Sequence, residues 1–281
     1  MVRTVHDAFE EFNRRLTPTA TQRSKERAHR QTVEKYLRAK LDVVRMFESG
    51  SFSHGTGVRG FSDVDVFVVL KRPRPESSYS ALRRVQTALS SQMFLTAVKI
   101  RRPAVVVEFN RGQETWEVIP AYNTGAGKID AYAYWIPSPR PGKGWIKSAP
   151  QVHARYVTAR NKRTDVDAKK FVRLVKAWKY IWSVPISSFY LEMQAARYAG
   201  ANPPTVPIFD LAGFFATLRL SGLAPMKDPS GMTGLIRPCS SAATKKEALS
   251  KLASADSRAR KALAAYEKGN EVQAFEYLNL L

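Results

Sequence analysis

The chain has 281 residues, 44% of them hydrophobic, and a formal net charge of +21. The length leaves room for two domains of ordinary size, and the hydrophobic fraction excludes global disorder. The longest apolar runs, such as Val66–Leu70 and Ala104–Val107, are far too short for a membrane helix, and the single cysteine, Cys239, excludes an intramolecular disulfide.

Met1-Val2-Arg3 leads into a charged amphipathic stretch with no apolar signal core, so a cytoplasmic protein without a membrane segment is expected. Val5, Phe9 and Phe12 recur at helical spacing over residues 4–15, and Thr17-Pro18-Thr19 breaks that helix. A second pattern from about Thr21 to Phe47 puts Val33, Tyr36, Leu37, Leu41 and Val44 on one face, and its last residues already suit a strand. Gly50–Gly57 is small and turn-prone. Asp63-Val64-Asp65-Val66-Phe67-Val68-Val69-Leu70 then reads as a strand, Lys71–Glu76 as a loop and Ser80–Phe94 as a helix. Ala104–Phe109 and Thr115–Ile119 read as a hairpin turning at Asn110-Arg111-Gly112-Gln113, with Pro120 ending the second strand.

Asn123–Pro150, rich in Gly, Pro and aromatics, reads as a long irregular connection. Helical patterns follow over Ala168–Trp182, Ser187–Ala199, Ile208–Leu220 and Lys245–Leu281, with Pro203-Pro204 and Asp228-Pro229-Ser230-Gly231 in loops. There is no internal repeat. The fold class is α+β: an α/β part over 1–150 and a helical part over 151–281.

Asp63 and Asp65 carry the chemistry. In a strand, residues i and i+2 share a face, so two carboxylates project side by side while Val64 and Val66 turn into a core. Like charges that close are costly without a cation. Paired carboxylates on a rigid strand suit a two-metal site holding Mg²⁺ or Mn²⁺ with substrate phosphates. Glu108 and Glu117 on the hairpin are both candidates for a third acid. Upstream, Gly50 allows close backbone approach to a phosphate, and Ser51 with successive amides can cradle its oxygens. His54 reads as a loop contact, since one histidine makes a poor metal site. Cys239 has no evident role.

Gly50-Ser51, a short loop and Asp63-x-Asp65 followed by Val-Phe-Val-Val resemble the nucleotidyltransferase signature shared with DNA polymerase beta. More narrowly, the chain resembles the bacterial cyclic-oligonucleotide synthases, the cyclic GMP-AMP synthase/DncV-like nucleotidyltransferases (CD-NTases) of anti-phage systems. Glu117-Val-Ile-Pro-Ala121 resembles the family's third-acid strand, with Glu in place of the commoner Asp, which favours Glu117 over Glu108. Trp145–Pro150 with His153 and Asn161 resembles the segment that links the family's two lobes. Phe171–Trp178 resembles the helix whose lysine, here Lys176, contacts the triphosphate. Ser187-Ser188-Phe189-Tyr190 resembles the next helix start, where Ser188 touches phosphate and Phe189 stacks on a base.

The resemblance implies a polymerase-beta-like core with a mixed sheet over 1–150 as the catalytic domain, and a nucleotide-binding helical lobe over 151–281. It implies a Mg²⁺- or Mn²⁺-dependent enzyme acting on nucleoside triphosphates, ATP and GTP among them. The product would be a cyclic di- or trinucleotide for anti-phage signalling, and a downstream effector would see only that product. Two rivals remain: a linear or RNA-directed nucleotidyltransferase, which the +21 charge suits, and a silent basic protein that binds nucleic acid. An activating RNA or DNA could also meet basic stretches at Arg23–Arg30, Lys71–Arg74, Arg101-Arg102 or Arg160–Arg163, each of which by itself reads as a solvated charge run. No zinc spacing accompanies them, so zinc-assisted DNA sensing is not expected.

Overall fold

Thr4 and Thr19 start the first two helices: their side-chain oxygens accept from Asp7 N and Gln22 N, opening α1 (Val5–Leu16) and α2 (Ala20–Lys40). The Gln22 side chain accepts in return from Thr19 N and completes a capping box. These elements belong to a computed structural model that describes residues 4–71, 73–94, 96–125, 133–162, 168–202 and 206–281. The chain divides into two units. One is Pro18–Arg155 with Pro229–Thr233; the other is Met1–Thr17, Tyr156–Asp228 and Gly234–Leu281.

The first unit is a sheet with helices. After α2 come β1 (Val43–Ser49), the short helix α3 (Gly50–His54), β2 (Val64–Leu70), α4 (Ser78–Ser90), β3 (Ala97–Arg101), β4 (Ala104–Phe109), β5 (Glu114–Asn123), β6 (Tyr134–Pro137) and β7 (Trp145–Ser148). Among the described residues these seven strands form one sheet, with path β1-β2-β5-β4-β3, and with β6 on β5 and β7 on β6. β2 and β5 run parallel; every other pair is antiparallel. The sheet is therefore mixed. The parallel pair requires a long connection, and α4, β3 and β4 supply it.

Alternation along the strands makes two faces. Val64, Val66, Val68, Val105, Val107, Trp116 and Val118 pack with Val33 and Leu37 of α2 and with Leu82, Val85 and Leu89 of α4. The opposite face carries Phe67, Val69, Ile119 and Ala121, packed with Tyr134 and Ile136.

Several local expectations change. The second helix ends at Lys40, because Val43, Val44 and Phe47 enter a strand whose backbone pairs with β2. β3 is a strand absent from the sequence reading. Pro120 lies inside β5 and does not end it. It falls between β4's last partner, Val118, and β6's first, Tyr122, where that edge has no ladder hydrogen bond to lose. The expected irregular connection contains the β6–β7 hairpin, with Ser138 N donating to Gly144 O at 2.9 Å across its turn. Residues 126–132 of that connection and Pro203-Pro204 lie outside the described residues.

The second unit is helical. α5 (Pro150–Lys162) enters it, followed by α6 (Ala168–Ile181), α7 (Ser188–Ala201), α8 (Pro207–Leu220), the ribbon β8 (Met226–Lys227) and β9 (Leu235–Ile236), α9 (Ala242–Glu267) and α10 (Glu271–Asn279). Phe171 of α6, Tyr198 of α7 and Phe214 of α8 meet in edge-on and tilted pairs 5.5–5.7 Å apart. The expected single helix over 245–281 is two, because the chain turns at Gly269 with φ +73°.

α1 also belongs to this unit, whereas the sequence reading puts it with the catalytic part. The reason is its partners: Val5 N donates to Glu271 Oε2 at 2.7 Å, and Lys170 pairs with Glu10 at 2.9 Å. Among the described residues, no helix is long and apolar enough to cross a membrane.

Candidate active site

The sheet unit brings its acids together by register. Ser49 on β1 pairs with Asp65 on β2, Asp65 with Glu117 on β5, Glu117 with Val106 on β4, and Val106 with Lys99 on β3. This lateral row crosses five strands. Asp65 and Glu117 are direct neighbours on parallel strands, which lie about 4.8 Å apart. Their face is the one that carries Phe67 and Ile119, so Val64 and Val66 turn into the opposite core as the alternation requires.

Asp63 stands one residue before β2, so the preceding loop positions it. That loop closes on itself: Val58 N donates to Ser62 Oγ at 2.9 Å, and Ser62 N donates to Val58 O at 3.0 Å.

Arg101, at the end of β3, ties the set together. Its Nη2 donates to Glu117 Oε1 at 2.7 Å and reaches Asp63 Oδ2 at 3.4 Å. Partial burial disfavours the Arg101 charge. The Glu117 hydrogen bond and the charges of Glu117, Asp63 and Glu108 outweigh that and hold the guanidinium above its ordinary range. Glu108, the other candidate for third acid, pairs with Lys99 at 3.8 Å and lies opposite Thr115, away from Asp65.

Gly50 follows β1 with φ +59°, and a Cβ there would overlap the Asp65 carboxylate. Both facts demand glycine. Ser51 is buried in α3, and its carbonyl accepts from Thr56 N at 2.9 Å, folding the segment after the helix back on it. His54 is buried at the end of α3.

The helical unit holds the other expected residues. Lys176 on α6 is 1% exposed, and its Nζ lies 3.3 Å from Glu192 Oε2 on α7. Ser187 caps α7, its side chain accepting from Tyr190 N, while Ser188 Oγ stands 3.3 Å from Tyr180 OH. Phe189 is 36% exposed, so part of its ring reaches solvent. Of the basic runs, Arg72, the Lys162 side chain and Arg163 lie outside the described residues.

Sequence reasoning misses Arg101 as a site residue. It reads as half of a solvated Arg-Arg pair, and only strand pairing carries it toward Glu117. Among the described residues, no three His, Cys, Asp or Glu side chains form a ready-made metal cage. The acids nevertheless fit a hard cation, since oxygens of Asp63 and Glu117 already converge on one positive group. A Mg²⁺ site commonly uses one or two carboxylates and completes its shell with water and phosphate.

Comparison with known proteins agrees with this geometry. The model of a Second Messenger Oligonucleotide or Dinucleotide Synthetase domain (SMODS) matches residues 3–161. A probable cyclic nucleotide synthase of Bacillus cereus (strain VD146) is 22% identical over 223 residues, 66% of this chain. The match spans 65% of that relative's length. Among solved structures, E. coli MS115-1 CdnC with ATP matches at TM-score 0.78 and 17% identity, covering 99% of this chain and 97% of that one. Bradyrhizobium diazoefficiens CD-NTase CdnG in complex with GTP matches at TM-score 0.75 and 12% identity, covering 98% and 97%. The fold is that of a polymerase-beta-like nucleotidyltransferase, with a mixed sheet and a helical C-terminal region.

Proposed function

We propose, from the premise that this chain belongs to the family of Second Messenger Oligonucleotide or Dinucleotide Synthetase domains, the CD-NTases, that it joins nucleoside triphosphates into a cyclic di- or trinucleotide. The observation that carries the reading is the in-register Asp65–Glu117 pair, with Asp63 and Glu117 both reaching the Arg101 guanidinium.

In this reading the 3′-hydroxyl, or the 2′-hydroxyl, of an acceptor nucleotide attacks the α-phosphate of a donor triphosphate. The new bond is P–O, the hydroxyl proton passes to solvent, the bond to the β-phosphate breaks, and pyrophosphate leaves with the electron pair. Asp63, Asp65 and Glu117 would hold Mg²⁺ or Mn²⁺, which when bound neutralises phosphate charge and favours ionisation of the hydroxyl. Gly50 brings the backbone close to the Asp65 carboxylate, and Ser51 orients the triphosphate oxygens beside it. Glu117, lateral to Asp65, faces the acceptor hydroxyl. Its extra methylene relative to aspartate lengthens its reach.

Ser188 and Lys176 act on the triphosphate and Phe189 stacks on a base. Lys176 acts from the Glu192 pair, which fixes the ammonium in place. Catalysis is then mostly positioning and charge compensation. ATP and GTP are the substrates proposed, and the product would serve anti-phage signalling.

The test is incubation of purified protein with four radiolabelled nucleoside triphosphates and Mg²⁺ or Mn²⁺, then phosphatase and chromatography. A phosphatase-resistant product supports a cyclase, and Asp63→Asn with Asp65→Asn should abolish it while circular dichroism stays native. Full metal-dependent turnover in that double variant would sink the assignment. The +21 charge favours one second reading, extension of a linear oligonucleotide or RNA. Its product would carry a phosphatase-sensitive end.

A further inference from the structure

Arg101 and Lys99 stand on one face of β3, two residues apart, and each meets a different acid. Lys99 reaches Glu108 at 3.8 Å diagonally across the β3–β4 ladder, since its own register partner is Val106. Arg101 instead reaches past β4 to β5, where it donates to Glu117 at 2.7 Å and lies 3.4 Å from Asp63. Two strand spacings amount to about 10 Å. The β4 residues on that face, Ala104 opposite Arg101 and Val106 beside Glu117, are small and buried. They leave a low saddle for a long side chain to cross.

The consequence is electrostatic. Asp63, Asp65 and Glu117 are like charges gathered at one end of the sheet, and such a set is costly without a positive group. Arg101 is 60% exposed, so it is held there by the acids rather than by packing. A tethered monovalent cation of this kind occupies the position that two of the acids would offer a divalent ion.

We propose that Arg101 is a built-in counter-cation of the acid set: it holds Asp63 and Glu117 until a divalent ion displaces it, and so sets the ion concentration at which the site fills. The inference rests on the reading of the acids as metal ligands. Arg101 is a positioning residue, acting through Asp63 and Glu117.

The test is Mn²⁺ binding to the full chain without nucleotide, followed by electron paramagnetic resonance of the free ion. Arg101→Ala should lower the Mn²⁺ dissociation constant roughly three- to tenfold, the range for loss of a competing surface ion pair plus its repulsion. Arg101→Lys, which keeps the charge on a shorter stem, should fall between the two. Lys99→Ala removes equal charge from the same strand and should change binding far less.

Unchanged or weaker binding in Arg101→Ala overturns the inference. So does an equal gain in Lys99→Ala, which would assign the effect to general charge. Asp65→Asn separates the two readings. If it abolishes Mn²⁺ binding while Arg101→Ala changes nothing, only the role of Arg101 fails; if Mn²⁺ binding is absent from the wild type or ignores Asp65→Asn, the acid reading fails and takes Arg101 with it.

Discussion

Asp65 and Glu117 are lateral partners across the parallel β2–β5 pair, 52 positions apart in sequence yet neighbours in register. Glu108 is closer to Asp65 in sequence but pairs across from Thr115 and meets Lys99. The two glutamates therefore make opposite predictions. Glu117→Gln should lower turnover by roughly a hundredfold or more, the scale for losing one positioned charge-stabilising group. Glu108→Gln should stay within about threefold of wild type, as expected for an exposed ion pair. Initial rates at saturating nucleotide and metal decide, and a reversed order would move the third-acid role to Glu108.

Gly50 offers a second test by a single methyl group. Gly50→Ala places that methyl on the Asp65 carboxylate at a backbone φ of +59°. The strain should cost about 1–3 kcal/mol. Displacing Asp65 by about 1 Å should cost turnover on the order of a hundredfold. Chemical denaturation and steady-state rates measure the two effects separately. A stable, fully active Gly50→Ala would show that the approach to Asp65 does not matter.

Lys176 and Glu192 form an ion pair with side chains 1% and 4% exposed. Lys176→Ala would leave a buried carboxylate without its lysine and should destabilise the chain by about 3–5 kcal/mol. Lys176→Met with Glu192→Leu restores an apolar fit of similar volume and should recover most of that. If Lys176 also steadies the triphosphate, the folded double variant will show KM for nucleoside triphosphate raised about tenfold. An unchanged KM would leave Lys176 a structural role alone.

The acids legible in the sequence are those whose partners are near in the chain. Asp63-x-Asp65 is a two-residue period on an apolar strand, and Gly50-Ser51 precedes it by a short loop. Glu117 can be preferred to Glu108 only by family resemblance, because which of them flanks Asp65 is a matter of strand order. The same holds for Arg101, whose contacts with Asp63 and Glu117 span 38 and 16 positions. The β6–β7 hairpin is hidden because Tyr134-Trp135-Ile136-Pro137 is too short to show alternation and lies between runs of Gly and Pro. Buried Lys176 gives no local sign of its state, since burial depends on Glu192 one helix away.

A fourth prediction concerns pH. Burial, then repulsion from Glu114 and Glu48, raises the Glu26 carboxyl on α2 to about 7, with Arg23 opposing. The folded state therefore holds this proton more tightly than the unfolded chain, whose carboxyl titrates near 4.5. Stability from Glu26 is full below that unfolded value and declines as pH rises toward about 7. Glu26→Gln should match wild type near pH 4.5 and exceed it at about pH 8. The gain in Tm should be about 2 °C, a modest figure because Glu26 is only half-buried and solvent screens it. Thermal melts at both pH values check this; a gain equal at the two would point away from titration.

The bond from Val5 N to Glu271 Oε2 joins residues 266 positions apart. On the ribosome, α1 is made before α6 and α10, yet Glu10 meets Lys170 and Val5 meets Glu271 only after those later helices have been synthesised. An amphipathic helix with Val5, Phe9 and Leu16 buried in the finished fold must spend that interval with its apolar side uncovered. The sheet unit, contiguous except for the five residues 229–233, can fold while the helical unit is still waiting for its last pieces. Fragments cut near residue 150 would strand α1 on the wrong piece. A working split or a minimal helical module has to carry the first seventeen residues along, joined by a linker to the chain beyond Arg155.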